Sequence, residues 1–157
     1  MGARVKAKHT KQLKEQRVAY ATKARAPRAL PFPQARYLTR KERAALKAYQ
    51  DYLLEKLPDQ IERIVLFGSK ARGDSTRDSD VDLLVAINGK PIEGLGACDP
   101  RWQTIVDPTF DFLMDYGVYL SPTVMHVEKT KEWTPLLAHI RKDGIVLWRC
   151  IKKSKSN

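Results

Sequence analysis

Two short segments of the 157-residue chain carry residue types arranged for chemistry. The first is Gly68-Ser69, between a run that reads as a strand, Ile61–Phe67, and a short helical turn, Ser69–Arg72. Glycine lets backbone approach a ligand closely, Ser69 can cap the turn with its hydroxyl, and amides exposed at such a turn favour an anion such as phosphate. The second segment is Asp80-Val81-Asp82, where another strand, Val81–Ile87, begins. Alternate residues of a strand share a face, roughly 6–7 Å apart at ~3.3 Å per residue. Both carboxylates therefore point the same way, repel, and raise each other's pKa. A divalent cation relieves that repulsion, and hard oxygen donors suit Mg2+. A phosphate-bound Mg2+ held between the pair and the Gly-Ser bend is the chemistry the two segments would perform together. Taken singly, each has a plain structural alternative: any strand-to-helix turn can use Gly-Ser, and an acidic pair at a strand edge can be a solvated face.

The surrounding pattern supplies elements to position them. A helix is expected over 39–56, where Thr39-Arg-Lys-Glu42 fits a capping box ahead of Ala45, Leu46, Tyr49, Leu53 and Leu54, and Pro58 closes it. The strands 61–67 and 81–87 follow, separated by the turn at 69–72 and a polar loop at 74–79. Residues 101–116 carry a helical pattern interrupted by Pro108. Val118–Glu128 reads as a third strand, with Pro122 implying a bulge or an edge position. A helix over 130–142 ends at Gly144, and Ile145–Trp148 forms a short fourth strand. This predicts an α+β fold, a small mixed sheet flanked by helices. Trp102, Trp133 and Trp148 read as core anchors.

Charge divides the chain into three parts. Residues 1–38 hold 10 basic residues and 1 acidic residue, residues 39–148 hold 15 and 17, and residues 149–157 hold 4 and none, giving a net charge of +11. The expected organisation is a basic arm and linker at 1–38, broken by Pro27, Pro31 and Pro33, a near-neutral domain at 39–148, and a basic tail at 149–157. No apolar run approaches the ~18 residues needed to span a bilayer. The first residues carry charge without a following apolar block, so they do not read as a secretory signal. Cys98 and Cys150 stand far apart in no metal-type spacing, which excludes a disulfide scaffold and points to a reducing, cytoplasmic setting.

The order of the two segments resembles the minimal nucleotidyltransferases of the DNA polymerase β superfamily. Gly68-Ser69 is followed by ten residues, 70–79, and then by Asp80-Val81-Asp82. The inner patterns Gly-Ser-x-Ala-Arg-Gly at 68–73 and Ser-Asp-x-Asp-Leu at 79–83 match as well. The resemblance is clear over 61–87 and extends over 39–148. It implies the polymerase β-like nucleotidyltransferase fold. Gly68 and Ser69 would hold the nucleoside triphosphate, ATP or another NTP. Asp80 and Asp82 would be the catalytic carboxylates and the Mg2+ ligands. Arg72 would pair with phosphate or tie down an acidic side chain. Lys70 and Arg77 read as solvated loop charges.

Members of the family also present a third carboxylate from a neighbouring strand. The matching strand here, Val118–Glu128, offers Ser121, Thr123 and His126 at its centre and no aspartate, with Glu128 at its far end as the acidic candidate for the metal. Period two groups Val124, His126 and Glu128 on one face, with a register that Pro122 unsettles. Three functions fit. The first is adenylyl transfer from ATP to a hydroxyl, for which the resemblance to antitoxins of HEPN/MNT toxin–antitoxin pairs implies a tyrosine of a HEPN-type partner protein. The second is nucleotidyl transfer to RNA or a small molecule, with the basic ends contacting RNA phosphates. The third is an inactive relative that binds a nucleotide or a partner.

Overall fold

The computed structural model describes residues 31–92 and 98–151. Five helices and four strands alternate in this part of the chain: α1 (Arg40–Lys56), β1 (Ile61–Phe67), α2 (Ser69–Arg72), β2 (Val81–Ile87), α3 (Pro100–Val106), α4 (Thr109–Tyr116), β3 (Leu120–His126), α5 (Pro135–Asp143) and β4 (Ile145–Arg149), with a 3-10 turn at Lys129–Lys131. The strands form one sheet in the order β3-β2-β1-β4. β1 pairs antiparallel with β2 and with β4, and β2 pairs parallel with β3. The mixed sheet flanked by helices is the fold the pattern predicts. A parallel pair cannot be joined by a hairpin, so α3 and α4 carry the chain from β2 to β3.

The capping box forms as the sequence indicates. The Thr39 hydroxyl accepts from the Glu42 amide at 3.2 Å, and the Thr39 amide donates to Glu42 Oε2 at 2.7 Å. α1 then buries Leu46, Tyr49 and Leu53 completely, on the sheet face that carries Ile64, Leu66, Leu83, Val85 and Ile87. Each large apolar side chain so buried contributes about 1.5–3 kcal/mol. The Tyr49 hydroxyl donates to the Ile105 carbonyl at 2.6 Å, which ties α3 to the same face. The opposite face carries Val65 and Leu84 and is covered by Leu137 and Ile140 of α5. With both faces covered, β2 is buried from Leu83 to Ile87, which explains its continuous apolar reading. Pro122 is accommodated because β3 is an edge strand.

Two expectations change. The packed unit begins at Phe32, within the segment expected as arm and linker: Phe32, Ala35 and Leu38 are buried with the main core. The prolines deny this segment a helix, and the buried Arg43 guanidinium takes up its carbonyls instead. It donates to those of Phe32, Ala35 and Leu38 at 2.5, 2.6 and 3.2 Å. The remainder of the arm (residues 1–30) and residues 152–157 of the tail lie outside the described residues. Trp133 is no core anchor either. It precedes the α5 N-cap Thr134 and is 78% exposed. Among the described residues no helix is long and apolar enough to cross a membrane.

Candidate functional site

The site is built where β1 ends beside the start of β2. Phe67, the last residue of β1, stands opposite Asp82 in the antiparallel register. The chain must then turn sharply into α2, and Gly68 makes that turn at φ 71°, ψ −156°, a backbone region essentially restricted to glycine. The turn also needs glycine for space, because a Cβ at position 68 would run into the Asp82 carboxylate. The bend that could cradle an anion and the second aspartate are thus in direct contact. Ser69 opens α2, and Arg72 closes it.

Asp80 is exposed in the residue before β2, and Asp82 is half-buried within it. Period two puts both on the face that carries Leu84. Burial, then the neighbouring Asp80 charge, pushes the Asp82 carboxyl above its ordinary range, and the Arg72 guanidinium partly offsets this. The pair is therefore close enough for like-charge repulsion, the condition a divalent cation relieves. Mg2+ is held by one or two carboxylates together with substrate phosphates, and the donor set of Asp80 and Asp82 fits that requirement. Arg72 Nε also meets Asp74 Oδ2 at 3.1 Å in an exposed pair. Arg72 thus makes the tie to an acidic side chain, one of the two roles expected of it, and its charge reaches Asp82.

Glu128 does not join the pair. The parallel register sets Ser121 beside Asp82 and His126 beside Ile87. His126, five residues on, lies roughly 16 Å along the strand at ~3.3 Å per residue, and Glu128 lies beyond it, paired with Lys131 at 2.8 Å. His126 also faces the opposite side of the sheet. Its Nδ1 accepts from the Glu128 amide at 3.3 Å, so its Nε2 donates to the Gly89 carbonyl at 2.9 Å. This is a buried structural histidine. Among the described residues no three His, Cys, Asp or Glu side chains gather as a metal-binding group.

Three supporting residues escaped the sequence reading. Lys70 is not a solvated loop charge. It is 3% exposed and pairs with Glu42 at 2.6 Å, reaching also to the Thr76 carbonyl at 3.3 Å. Burial alone would raise the Glu42 carboxyl, but the Lys70 contact and the Thr39 amide and hydroxyl hold it below its ordinary value. Ser79 clasps the loop ahead of Asp80, its hydroxyl accepting from the Thr76 amide at 2.9 Å. The Tyr37 ring packs over Gly73, at the other end of α2. A groove of about 560 Å3 lined by Arg40, Lys41, Ala44, Asp115, Tyr116 and Gly117 includes none of Gly68, Ser69, Asp80 and Asp82.

Comparison with known proteins agrees with the motif. A family model described as a nucleotidyltransferase domain matches residues 46–141. "Putative protein adenylyltransferase MJ0604" of Methanocaldococcus jannaschii is 31% identical over 110 residues, spanning 68% of this chain and 98% of that protein. "Putative protein adenylyltransferase MJ1305" of the same organism is 33% identical over 88 residues, 55% of this chain and 57% of that protein. Among solved structures, a toxin–antitoxin complex with AMP-PNP aligns at a TM-score of 0.43 and 18% identity, over 66% of this chain and 73% of that one. A tri-AMPylated Shewanella oneidensis HEPN toxin in complex with MNT antitoxin aligns at 0.40 and 15% identity, over 68% and 71%.

Proposed function

This chain belongs to the nucleotidyltransferase domain family and is a nucleotidyltransferase, and from that premise we propose that it transfers AMP from ATP, with Mg2+, to a tyrosine hydroxyl of a HEPN-type partner protein. The observation that carries the proposal is the contact between the Gly68 bend and the Asp82 carboxylate, which supports reading the bend and the acidic pair as one site. Names describing protein adenylyltransferases among the curated relatives support a protein acceptor.

In this reading the backbone at Gly68 and the Ser69 hydroxyl hold the triphosphate, and Arg72 adds positive charge to its flank. Asp80 and Asp82 would hold Mg2+, which supplies charge neutralisation to the triphosphate and the departing pyrophosphate. The acceptor oxygen attacks the α-phosphorus, a bond to oxygen forms there, and the α–β bridging bond breaks as pyrophosphate leaves. Catalysis consists of positioning and charge stabilisation.

The test is incubation of the full chain with Mg2+, ATP labelled at the α-phosphate and a co-expressed HEPN-type protein. Covalent label on the partner, lost in the Asp80→Ala/Asp82→Ala double variant, is the expected result. Label that persists in the double variant refutes the assigned site. The basic ends favour a second reading, an RNA acceptor. It requires labelled RNA instead, with an affinity that falls steeply with salt.

A further inference from the structure

A two-ion phosphoryl-transfer centre holds its cations about 3.5–4 Å apart. Each ion of such a pair needs protein oxygens as well as substrate phosphates, and two carboxylates leave few to share, so a further acidic group at a flanking position would complete the set. The sheet register fixes which positions those are. On one side Asp82 stands opposite Phe67, and the chain continues into Gly68 and Ser69. On the other side Ser121 stands beside Asp82, and the next residue on that face of β3 is Thr123. None of these side chains is a carboxylate. Of the acids off these positions, Asp74 meets Arg72 in an exposed pair, Asp78 lies in the exposed loop ahead of Asp80, and Glu128 pairs with Lys131 past the far end of β3.

From this register we propose that Ser121 restricts the site to a single divalent ion, the one carried in with the nucleotide, and so leaves the transfer without a protein base. The inference rests on the nucleotidyltransferase reading above and deepens it. Asp80 and Asp82 together balance the charge of one divalent cation. A second cation beside them would find, besides the substrate phosphates, only the uncharged Ser121 hydroxyl as a protein donor. His126, the histidine of β3, faces away with both ring nitrogens engaged. The acceptor's proton therefore passes to water as its oxygen bonds to the α-phosphorus, and the electron pair of the broken α–β bridge leaves with pyrophosphate. Ser121 thereby acts as a specificity-determining residue, favouring acceptors whose hydroxyl ionises readily.

The test counts Mn2+ retained by the full chain with α,β-methylene-ATP, by equilibrium dialysis and electron paramagnetic resonance. One Mn2+ per chain is expected for the unaltered protein and for Ser121→Asn, and two for Ser121→Asp. Two ions in the unaltered chain overturn the inference and spare the nucleotidyltransferase reading. A Ser121→Asp variant that binds the nucleotide with one ion also overturns it. Should Ser121→Asp fail to fold, the count in the unaltered chain still decides. Failure of the unaltered chain to retain any Mn2+–nucleotide refutes the nucleotidyltransferase reading itself.

Discussion

Contact between Gly68 and Asp82 can be tested apart from activity. Gly68→Ala imposes two separable costs. One is conformational: φ 71° with ψ −156° is a region that non-glycine residues occupy at a cost of about 1–3 kcal/mol. The other is steric, because the new methyl meets the Asp82 carboxylate, and overpacking of this kind costs about 1–3 kcal/mol. Only the steric part depends on Asp82. A double-mutant cycle with Asp82→Ala should therefore return a coupling of about 1–3 kcal/mol, the two changes together costing less than their sum. Asp82→Ala alone should leave stability equal or raise it at neutral pH. The folded state holds that carboxyl above its ordinary range, so its charged form opposes folding at any pH where it is ionised. Urea unfolding at pH 7 without divalent ions reads all four corners, with unchanged m-values confirming that only stability has moved. Gly117 supplies the control. It also has positive φ, at 65°, but nothing lies within 4 Å of a Cβ there. Gly117→Ala should cost about 1–2 kcal/mol and add to Asp82→Ala without coupling. Additivity of Gly68→Ala with Asp82→Ala within about 0.5 kcal/mol would refute the contact, and with it the contiguity of bend and acidic pair.

The buried Lys70–Glu42 pair yields two more outcomes. Lys70→Met strands the Glu42 carboxylate and should destabilise by about 3–5 kcal/mol in the same urea assay, with part of the loss recovered in Lys70→Met/Glu42→Gln. Because the folded Glu42 pKa lies below its unfolded value, its contribution is fully present above the unfolded value, about 4.3, and disappears as pH falls through the folded one. Stability of the unaltered chain should thus drop more steeply with acidification below about pH 4.3 than that of Glu42→Gln, and parallel acid profiles would contradict the pairing.

Much of this architecture is legible because its signals are local. Thr39 and Glu42 are three residues apart, so the cap of α1 can be read directly. Pro108 announces the break between α3 and α4. Gly68, Ser69, Asp80 and Asp82 fall within fifteen residues, at the end of one strand and the start of the next, and strand period alone places the carboxylates on one face. What escaped depends on partners distant in sequence. Lys70 reads as a loop charge until the first turn of α1, 28 residues upstream, brings Glu42 over it. Residues 32–38 read as linker because nothing local shows that Arg43 will be buried and collect their carbonyls. The place of Glu128 turned on a register that Pro122 left open, and only pairing with β2 shows Ser121 beside Asp82.

The four residues of α2 divide their duties by helix geometry. Lys70 and Ala71 are buried, and Lys70 is committed to Glu42 and the Thr76 carbonyl. Ser69 and Arg72, three apart, share the remaining face, and Arg72 is 42% exposed at its side chain. Under the proposed function a ligand at the Gly68 bend would meet the hydroxyl and the guanidinium, while Lys70 is withdrawn to hold the scaffold. The withdrawal also serves the aspartates. Lys70 fastens the Thr76 carbonyl, Ser79 closes the same loop on the Thr76 amide, and the residue after Ser79 is Asp80. One buried cation therefore links the capped start of α1 to the loop that delivers the first carboxylate. The second needs no such help, because β2 is paired on both sides and Asp82 is fixed by Phe67 and Ser121. The pair combines one carboxylate set by the sheet with one set by a pinned loop, so damage to the Lys70–Glu42 tie should displace Asp80 and leave Asp82 in place.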